Sequence, residues 1–225
     1  MKIGILVTGH PPEEMATAGS YDTYFERLLA FGEFEFSRCA VVDGAFPRSI
    51  TDADGWLITG SKHGAYEDHP WIPPLEQFIR DCFEKSIPMI GVCFGHQIIA
   101  QAMGGRVEKF DKGWSIGAQD YEIDGAPMTL NAWHQDQVVE KPETAQVIGK
   151  SDFCANAALV YDNRLWTIQP HPEYEADFID GLIRHRGTGL IPKHQLDQAK
   201  QRLASPLDNR QIAERMIAFF RQERT

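Results

Sequence analysis

Short apolar runs alternate with amphipathic stretches along the first half of the chain. Strands are predicted at residues 2–8, 34–42, 55–59 and 87–92. Most of these segments are continuous apolar runs, which are typical of strands buried on both faces. Apolar side chains at helical spacing predict helices at residues 20–31, 73–84 and 94–103. Strands that alternate with helices are joined by crossover connections, so this pattern predicts a parallel sheet.

The pattern changes between residues 105 and 165. Short strand-like segments follow one another there, with turn signals such as Asp124-Gly125 between them: residues 114–123, 127–133, 145–150, 157–161 and 164–169. We interpret these segments as antiparallel hairpins appended to the sheet. From about residue 174 the chain is helical again, with a loop predicted at residues 186–194 and a closing amphipathic helix at residues 208–221.

The predicted fold class is therefore α/β. We expect a doubly wound, mostly parallel, flavodoxin-like sheet flanked by helices, with an appended region of antiparallel strands. No internal repeat, low-complexity run or linker interrupts the sequence. Residues 1–225 are thus expected to form a single domain with a helical C-terminal extension from about residue 174.

Composition narrows the classes of function. The formal net charge is −10 and no basic stripe is found, which argues against a nucleic-acid partner; the basic cluster at residues 184–186 is interpreted as a solvated helix end. The first residues lack the long apolar core of a signal peptide, and no segment has the length of a membrane span. The four cysteines are far apart and fit neither a zinc site nor a disulfide framework, so we expect a cytoplasmic protein with reduced thiols.

One cysteine lies in a context suited to catalysis. Residues 91–95 read Gly-Val-Cys-Phe-Gly between a predicted strand and a predicted helix, which is the spacing of the G-x-S-x-G nucleophile elbow with sulfur in place of oxygen. The two glycines remove Cβ atoms that would collide at a sharp turn. The helix N-terminus favours a thiolate at Cys93 through its unpaired N–H groups and its dipole.

A buried cysteine that only packs is the competing interpretation. Free cysteine is among the most buried residue types, and this short motif alone is more often core packing than catalysis. Cys39 and Cys82 lie in apolar segments without other candidate catalytic residues, and we assign both to packing. Cys93 differs by its context of strand, turn and helix, which by itself leaves the two interpretations evenly balanced.

A thiol nucleophile needs a general base, and His171 is the best candidate. It follows the apolar segment 164–169, at the end where parallel sheets place their active-site loops, and prolines flank it on both sides. Glu173 is suitably placed to accept a hydrogen bond from the imidazole and to fix its tautomer. The same residues also fit a helix entry whose first turn Glu173 stabilises, and the two interpretations are compatible.

Four motifs together resemble a known family. TGS, GVCFGHQ, AWHQDQV and IQPHPE follow one another as they do in class I (triad) glutamine amidotransferase domains, and the resemblance runs from about residue 2 to residue 173. More narrowly, TGSKHGAYED, CFGHQIIAQAMGG and WHQDQVVEKPETA resemble the stand-alone, GMP-synthase-like branch that includes the γ-glutamyl peptidases of plants.

The resemblance implies a role for each matching residue. Cys93 corresponds to the nucleophile, His171 to the base and Glu173 to its orienting partner, which together form a Cys-His-Glu triad. Contacts to the oxyanion or to the substrate are implied for Gly60, Ser61, Phe94, Gln97, His134, Gln135 and Asp136. Ser61 stands where GMP-synthase-like domains carry the second glycine of a Gly-Gly pair, and the stand-alone branch shares this Gly-Ser.

The implied reaction is attack of Cys93 on a γ-glutamyl amide, followed by hydrolysis of the thioester. Three hypotheses follow: a glutaminase that delivers ammonia to a separate acceptor or synthetase subunit, a γ-glutamyl peptidase that acts on glutathione-type peptides alone, and a non-catalytic binding or redox-sensing member of the same fold. This chemistry implies no cofactor and no metal. The segment 63–69 (HGAYEDH), with two histidines and two acids, suggests metal ligands, but we interpret these residues as solvent-exposed loop residues.

Overall fold

The computed structural model of the protein describes residues 1–224, with side chains at every position in that range except 16–18. The strands are β1 (Lys2–Leu6), β2 (Glu35–Cys39), β3 (Gly55–Ile58), β4 (Met89–Val92), β5 (Arg106–Lys109), β6 (Ser115–Ile123), β7 (Ala126–His134), β8 (Asp136–Glu140), β9 (Ala145–Lys150), β10 (Ala158–Tyr161) and β11 (Leu165–Ile168). The α-helices are α1 (Tyr21–Leu28), α2 (Ile72–Glu84), α3 (Phe94–Ala102), α4 (Ala176–Leu182), α5 (Lys193–Gln201) and α6 (Asn209–Arg221). None of these helices combines the length and the apolar character needed to cross a membrane.

Nine of these strands form one sheet in the order β2-β1-β3-β4-β11-β10-β9-β6-β7. The five strands from β2 to β11 run parallel to one another, and every pair beyond β11 is antiparallel. The strand order reverses at β1, which lies between β2 and β3, as in doubly wound sheets. The predicted fold class, a mostly parallel sheet flanked by helices with antiparallel strands appended, is confirmed.

Helices cover both faces of the parallel strands. Phe25 of α1 and Met216 of α6 are fully buried in one apolar cluster, whereas Leu75 of α2 belongs to a second cluster that also contains α3. Leu57 of β3 joins the first cluster and its neighbour Ile58 joins the second, because successive side chains of a strand point to opposite faces. The central strands are therefore buried on both sides, which explains their continuous apolar runs.

The structure differs from the predicted elements in three places. The segment 164–169, predicted as part of a hairpin, forms β11, which pairs antiparallel with β10 but also parallel with β4 in the sheet. The two-stranded sheet of β5 and β8 was not predicted, because only Val107 of β5 is buried and no apolar run marks that strand. The loop predicted at residues 186–194 begins inside a π-helical turn, Ile183–Gly187, which continues α4.

The four cysteines are all free thiols. Cys82 is fully buried in the cluster formed by α2 and α3, and this burial raises the pKa of its thiol. Cys39 is partly buried at the end of β2. The packing role predicted for Cys82 agrees with its environment.

Candidate active site

Cys93 lies on a sharp turn between β4 and α3, at the carboxyl edge of the parallel strands. Its backbone has φ 53° and ψ −104°, a region that residues other than glycine rarely adopt. The turn is held by hydrogen bonds from Cys93 N–H to the Ile168 carbonyl at 2.9 Å and from Gly95 N–H to the Thr59 carbonyl at 3.2 Å. The strand, strained turn and helix together have the arrangement of the nucleophile elbow that the glycine spacing predicts.

Backbone contacts require the two glycines of this turn. A Cβ atom on Gly91 would lie 2.4 Å from the carbonyl oxygen of Gly95, and one on Gly95 would lie 2.4 Å from the carbonyl oxygen of Ile58. Both obstacles are main-chain atoms, which cannot turn aside as a flexible side chain can. The prediction that these glycines prevent collisions is confirmed.

His171 and Glu173 approach Cys93 from the end of β11. Nδ1 of His171 lies 2.6 Å from Oε1 of Glu173, and the Cys93 sulfur lies close enough to the same imidazole to raise its pKa. All three residues are no more than 5% exposed. The backbone N–H of His171 donates to the Asn131 carbonyl of β7 at 2.7 Å, which fixes the backbone from which the imidazole projects. The structure thus brings together side chains from two distant parts of the sequence.

Opposing effects set the pKa of His171. Burial by itself lowers the pKa of the imidazole, but the Glu173 carboxylate and the Cys93 sulfur outweigh it and raise this pKa to about 10. The imidazole is therefore protonated at neutral pH. A protonated imidazole beside the sulfur is a proton donor for a leaving group.

Gly60 approaches the same pair from the end of β3. A Cβ atom on Gly60 would lie 2.9 Å from Cε1 of His171 and 3.8 Å from Cβ of Cys93, so a larger residue would displace the imidazole. The hydroxyl of Thr8 lies 2.9 Å from the Thr59 carbonyl oxygen and 3.0 Å from that of Gly60. This contact with the segment after β1 fixes the turn that carries Gly60.

Ser61 and Phe94 border the site in different ways. Ser61 lines the cavity beside Cys93, and its hydroxyl accepts a hydrogen bond from the His63 N–H at 3.1 Å. The Phe94 ring is buried in the core, so only the backbone N–H of Phe94, in the first turn of α3, remains to face the site. The structure therefore brings Gly60, Ser61 and Phe94 next to Cys93, and their role as oxyanion donors stays a prediction.

A cavity of about 280 Å³ opens beside Cys93 and is lined in part by Gln97, His134, Gln135 and Asp136. Nε2 of Gln97 donates to the Asp136 carbonyl at 2.9 Å and to Oε1 of Gln169 at 3.1 Å, so this amide fixes the loop between β7 and β8. Burial lowers the pKa of His134 to about 3 and keeps its imidazole neutral. All four residues thus reach the cavity, and their contact with a substrate stays a prediction.

Tyr174 belongs to the site although no motif in the sequence indicated it. Its ring stacks on the His171 imidazole, with centroids 4.0 Å apart and planes at 9°. Its ring also lies beside that of Tyr21, which lines the cavity, with the centroids 6.4 Å apart. An aromatic face attracts a cation, so this stacking favours the protonated form of His171. An aromatic residue near a helix start was the only signal in the sequence, and such residues commonly pack.

Replacing Tyr174 by leucine is expected to lower the pKa of His171 by about one unit, because a cation–π contact contributes roughly 1–2 kcal/mol and one pKa unit is about 1.4 kcal/mol. Leucine keeps the site apolar, so the effect of burial on the pKa is retained. Tyr174→Phe keeps the ring and is the matched control, with no shift of this size expected. An NMR titration of the imidazole measures the pKa; equal values in the wild type and Tyr174→Leu would limit Tyr174 to packing.

Basic side chains line another part of the cavity. Arg186, in the π-helical turn, lies there together with Lys62 and Lys109. Within residues 1–224 no acidic partner forms an ion pair with Arg186. The interpretation of residues 184–186 as a solvated helix end is therefore wrong for Arg186, which is partly buried, since the π-helical turn changes which residue faces inward.

The segment HGAYEDH forms a cluster at the edge of the same cavity. Oε2 of Glu67 is 3.2 Å from Nδ1 of His63 and 2.7 Å from Nε2 of His69, whereas Asp68 lies outside the cluster. Glu67 and Asp68 are exposed, as predicted, whereas the two histidines are partly buried, which corrects the interpretation of a solvent-exposed loop for them alone. Burial alone would raise the pKa of Glu67, but hydrogen bonds from the Gly64 N–H and from the two imidazoles outweigh it and lower this pKa.

Comparisons with known proteins agree with this architecture. Residues 37–180 match the model of the family described as glutamine amidotransferase class-I. γ-Glutamyl peptidase 2 of Arabidopsis thaliana is 32% identical over 209 residues, which cover 84% of this chain and 84% of the relative. One component of the glutamine-hydrolyzing GMP synthase of Halobacterium salinarum is 34% identical over 143 residues, which cover 59% of this chain and 73% of the relative.

Solved structures show a similar fold. A glutamine amidotransferase from Methylobacillus flagellatus has a TM-score of 0.77 and 24% sequence identity, with 100% of this chain and 96% of that chain covered. At this identity the likeness concerns the fold alone. The family match covers more than half of the chain, and a relative is 32% identical over 84% of it; the chain therefore belongs to the class I glutamine amidotransferase family.

Proposed function

We propose that the protein hydrolyses γ-glutamyl amides through a thioester on Cys93, with His171 and Glu173 completing a Cys-His-Glu triad. The observation that carries this proposal is the strained turn at Cys93, which lies beside an imidazole that is 2.6 Å from a buried carboxylate. A cysteine that only packs needs neither a strained backbone nor such a partner. Membership of the class I family supports the same chemistry.

In the first half-reaction, the Cys93 thiolate attacks the δ-carbonyl carbon of the γ-glutamyl group and forms a C–S bond. The negative charge moves to the carbonyl oxygen, which the backbone N–H groups of Gly60 and Phe94 stabilise. His171 then donates its Nε2 proton to the nitrogen as the C–N bond breaks and the amine leaves. Glu173 keeps the imidazole oriented and stabilises its cationic form.

In the second half-reaction, a water molecule gives a proton to His171 and attacks the thioester carbon. The C–S bond breaks, glutamate is released, and Cys93 returns as a thiolate beside a protonated imidazole. The α-amino-acid end of the substrate is bound by residues that line the cavity: Gln97, His134, Gln135 and Asp136.

The leaving group separates two candidate substrates. Glutamine releases ammonia, which an amidotransferase subunit would deliver to a separate acceptor or synthetase protein. A γ-glutamyl peptide releases an amino acid or peptide that carries a carboxylate. Arg186, Lys62 and Lys109 line the cavity of a chain whose formal net charge is −10. These three cations outnumber the two carboxylates, Glu67 and Asp136, that line the outer part of the same cavity. The excess of positive charge favours an anionic leaving group and therefore the γ-glutamyl peptidase reaction.

Replacing Arg186 by alanine is expected to raise KM for γ-glutamyl dipeptides about tenfold and to leave KM for glutamine nearly unchanged. A hydrogen bond to a charged group contributes roughly 1.5–3 kcal/mol, and the leaving group of glutamine has no carboxylate to receive one. Arg184→Ala is the matched control, because Arg184 lies in the same turn but is exposed and paired with Asp180 at 2.8 Å. Steady-state kinetics measure both constants; an equal rise for both substrates would contradict recognition of the leaving group.

A panel of substrates tests the proposed function. The purified protein is assayed for glutamate release from glutamine, γ-glutamyl dipeptides and glutathione conjugates, beside the Cys93→Ala variant. Partner-independent release from γ-glutamyl peptides supports the peptidase, whereas glutamine hydrolysis that requires a co-purified partner supports an amidotransferase subunit. If no substrate reacts and Cys93 forms no adduct with a glutamine-analogue electrophile, the enzymatic proposal fails in favour of a non-catalytic member of the family.

A further inference from the structure

We propose that His63, Glu67 and His69 bind a divalent transition-metal ion such as zinc at the edge of the cavity beside Cys93. This site goes beyond the proposed hydrolysis, which requires no metal. Each of these residues offers one ligand atom, and the three atoms lie within 4.8 Å of one another. Two imidazoles and one carboxylate are a donor set that zinc takes in proteins, and three protein ligands leave a fourth tetrahedral position open.

The separations between the Glu67 oxygen and the two imidazole nitrogens are close to those of an occupied site. Donors about 2.0–2.1 Å from a tetrahedral ion lie roughly 3.3 Å from one another. Oε2 of Glu67 is 3.2 Å from Nδ1 of His63 and 2.7 Å from Nε2 of His69. Small side-chain rotations are therefore sufficient to direct all three donors at one ion.

The loop holds these ligands in place through contacts that need no ion. The Glu67 N–H donates to the Gly64 carbonyl at 3.1 Å, and the His69 N–H donates to the Glu67 carbonyl at 3.0 Å. The indole of Trp71 stacks on the His69 ring with the two planes at 10°. Ligands that are already ordered lose little conformational entropy on binding, which favours affinity.

A hydrogen-bonded cluster without an ion is the competing interpretation. In that state the ring nitrogen of each histidine that faces Glu67 carries a proton. When a metal ion binds this nitrogen, the proton is carried by the other nitrogen of the same ring. Two imidazoles contact the same oxygen of Glu67, whereas an ordinary histidine–carboxylate pair has one. His10 and Asp43 form such a pair, with a single exposed imidazole at 3.1 Å from the carboxylate.

The test is a zinc titration of the Cys93→Ser variant by isothermal titration calorimetry, repeated with cobalt by visible absorption. The serine removes the thiolate of the active site as a competing ligand. No turnover is measured, so failure of this proposal and failure of the proposed hydrolysis are distinguishable. One equivalent of metal is expected to bind, with the intense visible bands of tetrahedral cobalt.

In the same background, His63→Ala and His69→Ala are each expected to weaken binding by about 100-fold or more, since even the outer partners of metal sites change affinity by about 10–100-fold. His10→Ala is the matched control and is expected to bind as the parent does. Circular dichroism establishes that each variant is folded. Absence of stoichiometric binding, or an affinity that either substitution leaves unchanged, would overturn the proposal.

Discussion

Replacing Cys93 by serine is expected to lower kcat/KM for the γ-glutamyl substrate by about 10⁴-fold or more. In other enzymes, removal of the nucleophile leaves only the catalysis that binding and oxyanion stabilisation provide. The hydroxyl is close to the thiol in size, so the turn and the cavity are retained. It ionises far less readily than a thiol beside the protonated His171, and the thioester cannot form. Steady-state kinetics measure the loss.

Cys39→Ser is the matched control for this substitution. Cys39 is a partly buried thiol at the end of β2 and does not line the cavity, so its replacement is expected to leave kcat/KM unchanged within about twofold. Mass spectrometry of acid-quenched wild-type protein is expected to find the γ-glutamyl group on Cys93. Retention of more than about one tenth of the activity in Cys93→Ser would contradict the nucleophile assignment.

Replacing Glu173 by glutamine is expected to lower kcat/KM by roughly 10³–10⁴-fold, the range seen when the orienting carboxylate of a triad becomes an amide. The amide no longer stabilises the imidazolium and selects the wrong tautomer of His171. Glu175→Gln is the matched control, because Glu175 lies two residues further on and is exposed. A loss of less than about tenfold in Glu173→Gln would contradict the triad.

The pH profile gives this second prediction an independent readout. His171 must be protonated to donate to the leaving nitrogen, and its pKa is raised to about 10, so wild-type kcat/KM is expected to fall only as the pH rises through about 10. Glu173→Gln removes the carboxylate that raises this pKa while burial, which lowers it, remains. The descending limb is therefore expected to move to lower pH in Glu173→Gln and to stay in place in Glu175→Gln.

Local features of the sequence were sufficient for most of the fold and for the elbow. A strand buried on both faces must be apolar throughout, so β1, β3 and β4 could be recognised from their runs alone. A cysteine on a strained turn needs neighbours without Cβ atoms, so the spacing of Gly91 and Gly95 was enough to indicate the turn. Each of these constraints leaves a local mark in the sequence, either an apolar run or a glycine spacing, and could therefore be recognised without the structure.

The direction of individual side chains could be settled only by the tertiary structure. The stacking of Tyr174 on His171, the inward direction of Arg186 and the convergence of His63, Glu67 and His69 each depend on a turn geometry or a side-chain rotamer. Packing against other elements selects those rotamers, and no local pattern records that choice. The sequence determined the strands, the helices and the turn at the nucleophile, whereas the surroundings of that turn were decided by which distant side chains the folded sheet brings within a few ångströms of it.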